Sequence, residues 1–403
     1  MRVAIAGAGI GGLVCALALE AAGREVTVFE AAPRILPLGV GINLLPHAAE
    51  ILADLGLLEA IAAEGVATAE LVYFNKRGQR IWGEPRGRRA GHATPQISLS
   101  RGALQGALQA AAIDRLGVRR VICDRRLARF ETGSDRVDLD LVDAAGNVHA
   151  ASADILVAAD GIHSAARARL YPQEGPPIFS GRLLWRATSL APPFLTGASM
   201  IMAGHQTQKF VAYPISAPGA DGRQRINWVA ELAVAQTLRR EDWNRRGSLA
   251  DFLPRFESWR FDWLDIPALI RSAEAVFEFP MVDRDPLPRW SHGRMTLLGD
   301  AAHPMYPIGS NGASQAILDA HALAAALAAD PDPAAALQDY EQTRLPATAA
   351  IVRANRGNGP EQCMQLAEER APAGFADIGE VFAPGELAAI AARYKALTGL
   401  RPV

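Results

Sequence analysis

The feature that most constrains this fold is the glycine pattern Gly7-Ala8-Gly9-Ile10-Gly11-Gly12 near the start of the chain. It lies between an apolar run at residues 2–6 and a helix-forming run at residues 10–22, and a second β-branched run follows at residues 25–29. This order predicts a βαβ unit of a parallel sheet. Gly7 permits a tight turn, Gly9 lets the backbone approach a pyrophosphate at the positive end of the helix, and Gly12 lets helix and strand pack closely. Glu30 follows the second strand, where a carboxylate can accept hydrogen bonds from ribose hydroxyls. The pattern therefore predicts a dinucleotide site.

Two later motifs place polar residues at the ends of apolar strands. Residues 155–159 lead into Asp160-Gly161, and residues 295–298 lead into Gly299-Asp300, followed by a Pro- and Gly-rich turn and a helix from Gly312. The carboxyl ends of parallel strands border the crevice in which ligands bind. Asp300 would hold a hydroxyl chain, and the helix N-terminus would stabilise negative charge on a bound ring. An Asp-Gly pair alone is common in turns, so the argument depends on the three motifs together.

The rest of the chain divides into segments with different sequence patterns. Helices are predicted at residues 46–63, 101–116 and 312–329, and a β-meander at residues 126–148. Short aromatic-containing runs between residues 177 and 280, separated by Gly, Pro and Asp, predict an antiparallel sheet with one helix near residues 248–259. We therefore predict an α/β fold with a Rossmann-like domain from residues 1–75, 97–177 and 283–355. A substrate domain would comprise residues 76–96 and 178–282, and a C-terminal helical segment residues 356–403.

Composition excludes several classes of function. Lys+Arg is 41 and Asp+Glu is 43, so the net charge of −2 does not favour nucleic acid binding. Three cysteines without a CxxC pair predict neither a disulfide framework nor a metal site. The N-terminal run is interrupted by glycines and lacks a signal-peptide cleavage pattern, and no apolar stretch of about 20 residues predicts a membrane span. We expect a cytoplasmic protein, and the sequence indicates no oligomeric state.

The three motifs, with SRGALQ at residues 100–105 between the first two, resemble the FAD-dependent aromatic monooxygenases of the p-hydroxybenzoate hydroxylase type. The segments PLGVGIN, ADGIHSAAR, VAYPIS and GDAAHPMYPIGSNGASQAILD are similar to phenazine-modifying members of that family. The resemblance covers roughly residues 1–355. It implies FAD as cofactor, NADH or NADPH as a transient reductant, O2 as co-substrate, and hydroxylation of an aromatic or heteroaromatic molecule through a C4a-hydroperoxyflavin. The chain has no second G-x-G-x-x-G after a strand, which agrees with transient binding of the reductant.

The resemblance also implies which residues bind the cofactor. Ala8, Gly9 and Ile10 would line the pyrophosphate, Gly7 and Gly12 would shape the same cofactor loop, and Glu30 would bind the adenosine ribose. The other implied contacts are Val40 and Gly41 near the flavin ring, Arg101, Gly299 and Asp300 at the ribityl–pyrophosphate, Arg125 at adenine, Asp160 at the nicotinamide approach, and Pro307, Gly309, Asn311, Gly312 and Ala313 at the ring edge.

The substrate would lie between the flavin and the antiparallel sheet. Aromatic rings stack on planar ligands, so Tyr213, Phe210 and Trp185 are predicted contacts, together with Met305 in the turn after Asp300. Arg186 is a candidate partner for a substrate carboxylate. The chemistry belongs to the flavin, so no catalytic side chain is assigned, and His303 is interpreted as structural. Two alternatives stay open at this point: a flavin oxidoreductase of the same fold that inserts no oxygen, and a non-catalytic flavin-binding protein.

Overall fold

Helices and strands are distributed along the chain in the predicted α/β pattern. The computed structural model describes residues 1–35, 39–235 and 245–399; residues 37–38 of PLGVGIN, residues 236–244 of the predicted substrate domain and residues 400–403 of the C-terminal segment lie outside it. The helices are α1 (Ile10–Ala21), α2 (Pro46–Asp54), α3 (Leu58–Ala63), α4 (Arg101–Leu116), α5 (Ala165–Leu170), α6 (Leu249–Phe256), α7 (Ile266–Arg271), α8 (Gly312–Ala329), α9 (Pro333–Arg356), α10 (Gln362–Arg370) and α11 (Glu386–Thr398). The strands are β1 (Arg2–Ala6), β2 (Glu25–Phe29), β3 (Gly41–Leu44), β4 (Gly65–Ala67), β5 (Glu70–Phe74), β6 (Arg80–Pro85), β7 (Ile97–Ser100), β8 (Val121–Ile122), β9 (Arg126–Thr132), β10 (Val137–Val142), β11 (Val148–Ala153), β12 (Ile155–Ala158), β13 (Ile178–Ala191), β14 (Ser199–His205), β15 (Gln208–Pro214), β16 (Gln224–Ala233), β17 (Arg260–Phe261), β18 (Leu264–Asp265), β19 (Phe277–Asp283) and β20 (Met295–Leu297).

A five-stranded parallel sheet brings the three sequence motifs to one edge. Its strand order is β20-β12-β1-β2-β8, and every neighbouring pair is parallel. The strands are apolar and buried because helices α1, α4 and α8 pack over them in one continuous core. Since the strands are parallel, the residues that follow β1, β2, β12 and β20 all emerge at the same edge. This sheet confirms the predicted Rossmann-like part of the fold.

A seven-stranded sheet confirms the predicted second layer. Its order is β19-β13-β16-β15-β14-β5-β6, antiparallel throughout except for the parallel pair β14–β5. Helices α6 and α7 cover one face, where Phe252, Phe256 and Ile266 join a buried aromatic cluster. Part of the opposite face packs on α10 through Cys363 and Met364. The rest of that face is turned toward the motif edge of the parallel sheet.

Three local features differ from the sequence predictions. The helix expected over residues 46–63 is broken into α2 and α3, because Gly56 adopts a φ of +71°, which ends the first helix. The helix expected near residues 248–259 is shorter: Ser248 caps its start and it ends at Phe256. Strand β5 precedes the predicted boundary at residue 75, yet it pairs with β6 and β14 in the seven-stranded sheet. The division into domains otherwise stays a prediction. Among the described residues, no helix has both the length and the apolarity to cross a membrane.

Candidate active site

The glycine pattern forms a tight loop that leaves open space at the N-terminus of α1. A Cβ on Gly12 would lie 2.0 Å from the Gly7 carbonyl oxygen, and one on Gly7 would lie 2.3 Å from the Ala159 carbonyl oxygen. These two glycines therefore let the loop pack on its neighbours. A Cβ on Gly9 would meet nothing within 4 Å. The loop thus fits a phosphate-bearing cofactor, whose charge the helix N-terminus would stabilise.

Glu30 lies beside this loop at the end of β2. Its carboxylate accepts hydrogen bonds from the backbone N–H of Ala8 (2.7 Å) and of Ala32 (2.8 Å). The N–H of Arg125 donates to the Glu30 carbonyl oxygen at 2.8 Å, so the predicted ribose and adenine contacts are adjacent. Sequence reasoning missed Gln105, whose Nε2 donates to the Ala8 carbonyl at 3.0 Å. The sequence could have indicated this contact, since Gln105 ends the SRGALQ segment one helical turn after Arg101.

A cavity of about 360 Å³ lies between the loop, the N-terminus of α8 and the seven-stranded sheet. Most of the predicted cofactor contacts line it, as do two of the predicted substrate contacts. A Cβ on Gly312 would also meet nothing within 4 Å, so a second helix N-terminus opens into the same space. The predicted residues that line the cavity are Gly9, Ile10, Gly41, Arg101, Tyr213, Gly299, Asp300, Met305, Pro307, Asn311, Gly312 and Ala313.

Other predicted cofactor residues do not line the cavity. The Val40 carbonyl accepts from the Arg101 N–H at 2.9 Å. Asp160 accepts from the Ala165 N–H at 2.8 Å and so caps α5, and burial raises the pKa of Asp160. Gly309 and Tyr394 line a second, smaller cavity, and a Cβ on Gly309 would lie 2.4 Å from the Tyr394 Oη. Gly7, Ala8, Gly12, Glu30 and Arg125 complete this set. Their contact with a cofactor stays a prediction.

The strands of the large sheet alternate between the cavity and the aromatic core. On β15, Lys209, Val211 and Tyr213 face the cavity, whereas Phe210 lies in the core. On β13, Arg186 faces the cavity and Trp185 stacks on the Phe252 ring in the core, with centroids 5.0 Å apart. The predicted substrate contacts Phe210 and Trp185 are therefore corrected: both point to the opposite face.

At one end of the cavity, an arginine lacks a charged partner. Arg186 donates from Nη2 to the Gly41 carbonyl at 3.0 Å, and its Nε is buried without a hydrogen-bond partner. None of the carboxylates in the described residues pairs with it, and burial lowers the pKa of Arg186. Burial raises the pKa of the neighbouring Tyr213 to about 12, so its hydroxyl stays protonated at neutral pH. A Cβ on Gly41 would lie 2.9 Å from the Tyr213 ring, which explains the glycine at this close approach.

Another end of the cavity carries a cluster of paired charges, which we call the Lys209 cluster: Lys209, Arg182, Glu231 and Glu361. Lys209 Nζ lies 2.8 Å from Glu231 and 2.5 Å from Glu361, and Arg182 lies 2.9 Å from Glu231. All four are at most 8% exposed at the side chain. Burial opposes the charge on Lys209, but the two carboxylates raise its pKa. Sequence reasoning assigned no role to these residues.

Asp319 of α8 holds the loop that carries Gly299 and Asp300. It is fully buried and accepts from the Gly299 N–H (3.1 Å), His303 Nε2 (2.5 Å) and Arg344 Nε (2.7 Å). Burial opposes ionisation, but His303 and Arg344 lower the pKa of Asp319 to about 2. The structural interpretation of His303 agrees with this network. Asp319 itself had no predicted role, although it ends the last segment of the resemblance.

The comparisons with known proteins agree with this geometry. The profile of the FAD-binding domain family matches residues 1–355. The chain belongs to this family. The phenazine 1,6-dicarboxylic acid hydroxylase of Lysobacter antibioticus is 51% identical to this flavoprotein over an alignment of 362 residues that covers 88% of this chain and 89% of that protein.

More distant relatives of this flavoprotein fit the same picture. The 3-hydroxybenzoate 6-hydroxylase 1 of Aquipseudomonas alcaligenes is 31% identical over 87% of this chain and 86% of its own length. Klebsiella pneumoniae HpxO, solved with FAD and uric acid, matches the fold with a TM-score of 0.75 at 24% identity, covering 99% of this chain and 93% of that chain. The protein is an FAD-dependent monooxygenase of the p-hydroxybenzoate hydroxylase type that hydroxylates aromatic compounds with NAD(P)H and O2. The sequence-based recognition is confirmed.

Proposed function

We propose that this monooxygenase hydroxylates a planar heteroaromatic carboxylate, and that Arg186 binds the carboxylate. The observation that carries the proposal is the Arg186 guanidinium, which faces the cavity with a buried, unpartnered Nε and no carboxylate partner among the described residues. A guanidinium binds a carboxylate through two parallel hydrogen bonds. The 51% identical relative is named for an aromatic dicarboxylic acid, which supports this substrate class.

The other cavity residues suit a flat ring system. Val211, Val229, Met200 and Met202 form an apolar wall on the sheet face, which excludes water from the reacting ring. Tyr213, held neutral by burial, lies beside Arg186, where its hydroxyl can donate to a substrate oxygen. These residues bind and orient the ring. The bound FAD supplies the reduction and oxygen-transfer chemistry.

The same proposal assigns the cofactor residues. Gly9 and Gly312 leave open space at two helix N-termini for the pyrophosphate and the flavin ring, respectively. Glu30 would accept hydrogen bonds from the adenosine ribose hydroxyls, while Arg101 and the exposed Asp300 would contact the ribityl–pyrophosphate. The sequence-based expectation of a cytoplasmic location is retained as part of the proposal, and three unpaired cysteines support it.

The test is ligand binding to the FAD-loaded protein. Dissociation constants for phenazine-1-carboxylate and for unsubstituted phenazine are measured from the perturbation of the flavin absorbance in wild type and in Arg186→Met. Loss of a charge-assisted pair is expected to weaken carboxylate binding on the order of tenfold to a hundredfold, with little change for phenazine. Arg186→Lys keeps the charge but loses the fork, so we expect an intermediate effect.

A matched control is Arg246→Met. Arg246 lies over the Phe277 ring at 5.7 Å, the same distance as Arg186 from the Phe279 ring, but it does not line the cavity. We expect this control to bind both ligands like the wild type. Equal weakening of both ligands in Arg186→Met, or unchanged carboxylate binding, would contradict the proposed role.

A further inference from the structure

The turn between α9 and α10 places the side-chain carboxylate of Glu361 in the cavity wall. Asn358 adopts a φ of +65° in this turn, and its Oδ1 accepts from Arg182 Nη2 at 3.2 Å. Asn355, at the end of α9, accepts from the Tyr394 hydroxyl of α11 at 2.6 Å. Contacts from the sheet and from α11 therefore hold the turn on both sides. Glu361, three residues after Asn358, lines the cavity.

The Lys209 cluster contains equal numbers of basic and acidic side chains, and burial raises the pKa of Glu361 while the charge of Lys209 opposes this rise. It combines two cations, Lys209 and Arg182, with two carboxylates, Glu231 and Glu361. Lys209, Glu231 and Glu361 line the cavity, whereas Arg182 supports Glu231 from outside the lining. Because all four are buried, their charges are weakly screened by solvent. The cluster can therefore discriminate between neutral and charged groups that approach it.

Arg186 and the Lys209 cluster lie at different places on the same sheet face. Lys209 pairs with Glu231 across β15 and β16, while Arg186 pairs with Val229 across β13 and β16. The two cations are thus two strand spacings apart, with β16 between them, and two residues apart along the strand direction. This is an offset of about 12 Å between backbone positions. Val229 and Val211 lie in register with Arg186, and Glu231 lies in register with Lys209. A fused-ring substrate with its carboxylate on Arg186 would therefore cross the two valines and direct its far end to the Lys209 cluster.

We propose that Glu361 is a specificity-determining residue, whose carboxylate sets the charge that the Lys209 cluster presents to the far end of the substrate. This inference rests on the proposed function, because Arg186 must fix the orientation of the ring. With Glu361 present, a second carboxylate at the far end meets two carboxylates already paired to Lys209. Without Glu361 the cluster carries one net positive charge and attracts a second carboxylate.

The test compares charge changes of opposite sign. On FAD-loaded protein, dissociation constants are measured for phenazine-1-carboxylate and phenazine-1,6-dicarboxylate, and their ratio is the readout. Glu361→Gln should shift the ratio toward the dicarboxylate on the order of tenfold, because one charge is removed near the ligand. Lys209→Gln should shift it in the opposite direction, and the double variant should return near the wild-type ratio. A general loss of stability would affect both dissociation constants alike and leave their ratio unchanged. The double variant removes one cation and one carboxylate together, so the net charge of the cluster stays the same.

Glu278→Gln is the matched control. Glu278 is 7% exposed and forms a salt bridge with Arg245 at 3.4 Å. It lies directly across from Trp185 on the neighbouring strand, so its side chain is on the core face of the sheet, opposite the cavity. Its ratio should equal that of the wild type. A Glu361→Gln ratio within twofold of wild type, or a shift in the same direction for Lys209→Gln, overturns the inference even when the Arg186 experiment succeeds. If neither carboxylate perturbs the wild-type flavin, the proposed function fails and this inference fails with it.

Discussion

At the scale of single residues, the glycines of the loop have separable tasks. Gly12 lets α1 pack against Gly7, whereas Gly9 leaves space for a ligand. The sequence pattern predicts this division, since the second glycine of such a motif lets the backbone approach a pyrophosphate and the last one lets helix and strand pack closely. The space around each missing Cβ agrees with it.

This division gives a prediction for two substitutions. Gly12→Ala should lower the free energy of unfolding by about 3 kcal/mol or more, because its Cβ would lie 2.0 Å from a backbone oxygen. Gly9→Val should leave the melting temperature of the apoprotein near that of the wild type but abolish most FAD binding, because its side chain would fill the open space. Denaturant unfolding and flavin content per chain measure the two effects. A Gly9→Val protein with full flavin content would contradict the assignment.

The substrate residues show where sequence reasoning failed and why. Tyr213 lines the cavity, whereas Phe210 lies in the aromatic core. Along a strand, residues an odd number apart point to opposite faces, so these two could not both contact the substrate. The sequence predicted the strand but not which face the cofactor would occupy. That choice is made by the packing of α6 and α7 on the aromatic side.

At the scale of elements, Asp319 connects α8, α9 and the loop after β20. The sequence predicted helix α8 with its bounds Gly312–Ala329, but not this connection. Arg344 lies 25 residues later on the next helix, and nothing in the local pattern indicates that the two side chains meet. A buried aspartate on an apolar helix face was the available signal.

We expect Asp319→Asn to destabilise the fold by about 3–5 kcal/mol at neutral pH, because Arg344 would lose its buried carboxylate partner. The pKa of Asp319 is lowered from 3.8 to about 2, so its stabilisation is present above pH 4 and is lost as the pH falls through 2. The gap between wild type and variant should therefore shrink on acidification. Urea unfolding at several pH values measures it. Asp138→Asn, in an exposed pair with Arg136, is the control and should change little. A similar small effect for both variants would contradict the argument.

At the scale of the whole molecule, the cavity is assembled from segments distant in sequence. The glycine loop, β13–β16, the loop after β20 and the turn after α9 all contribute lining residues. The sequence predicted a discontinuous cofactor-binding part and an inserted sheet. It did not predict that the C-terminal segment would contribute Glu361, because an Ala-rich helical pattern does not indicate where the helices dock.

The central claim is that the chain uses FAD to insert oxygen into a heteroaromatic carboxylate. The most direct measurement is turnover of phenazine-1-carboxylate by the FAD-loaded protein with NAD(P)H under isotopically labelled O2, with mass analysis of the product. We predict ligand-stimulated NAD(P)H oxidation and one labelled oxygen atom in the organic product. Normal turnover without O2, or a product without the label, would contradict the claim and favour a flavin oxidoreductase that inserts no oxygen.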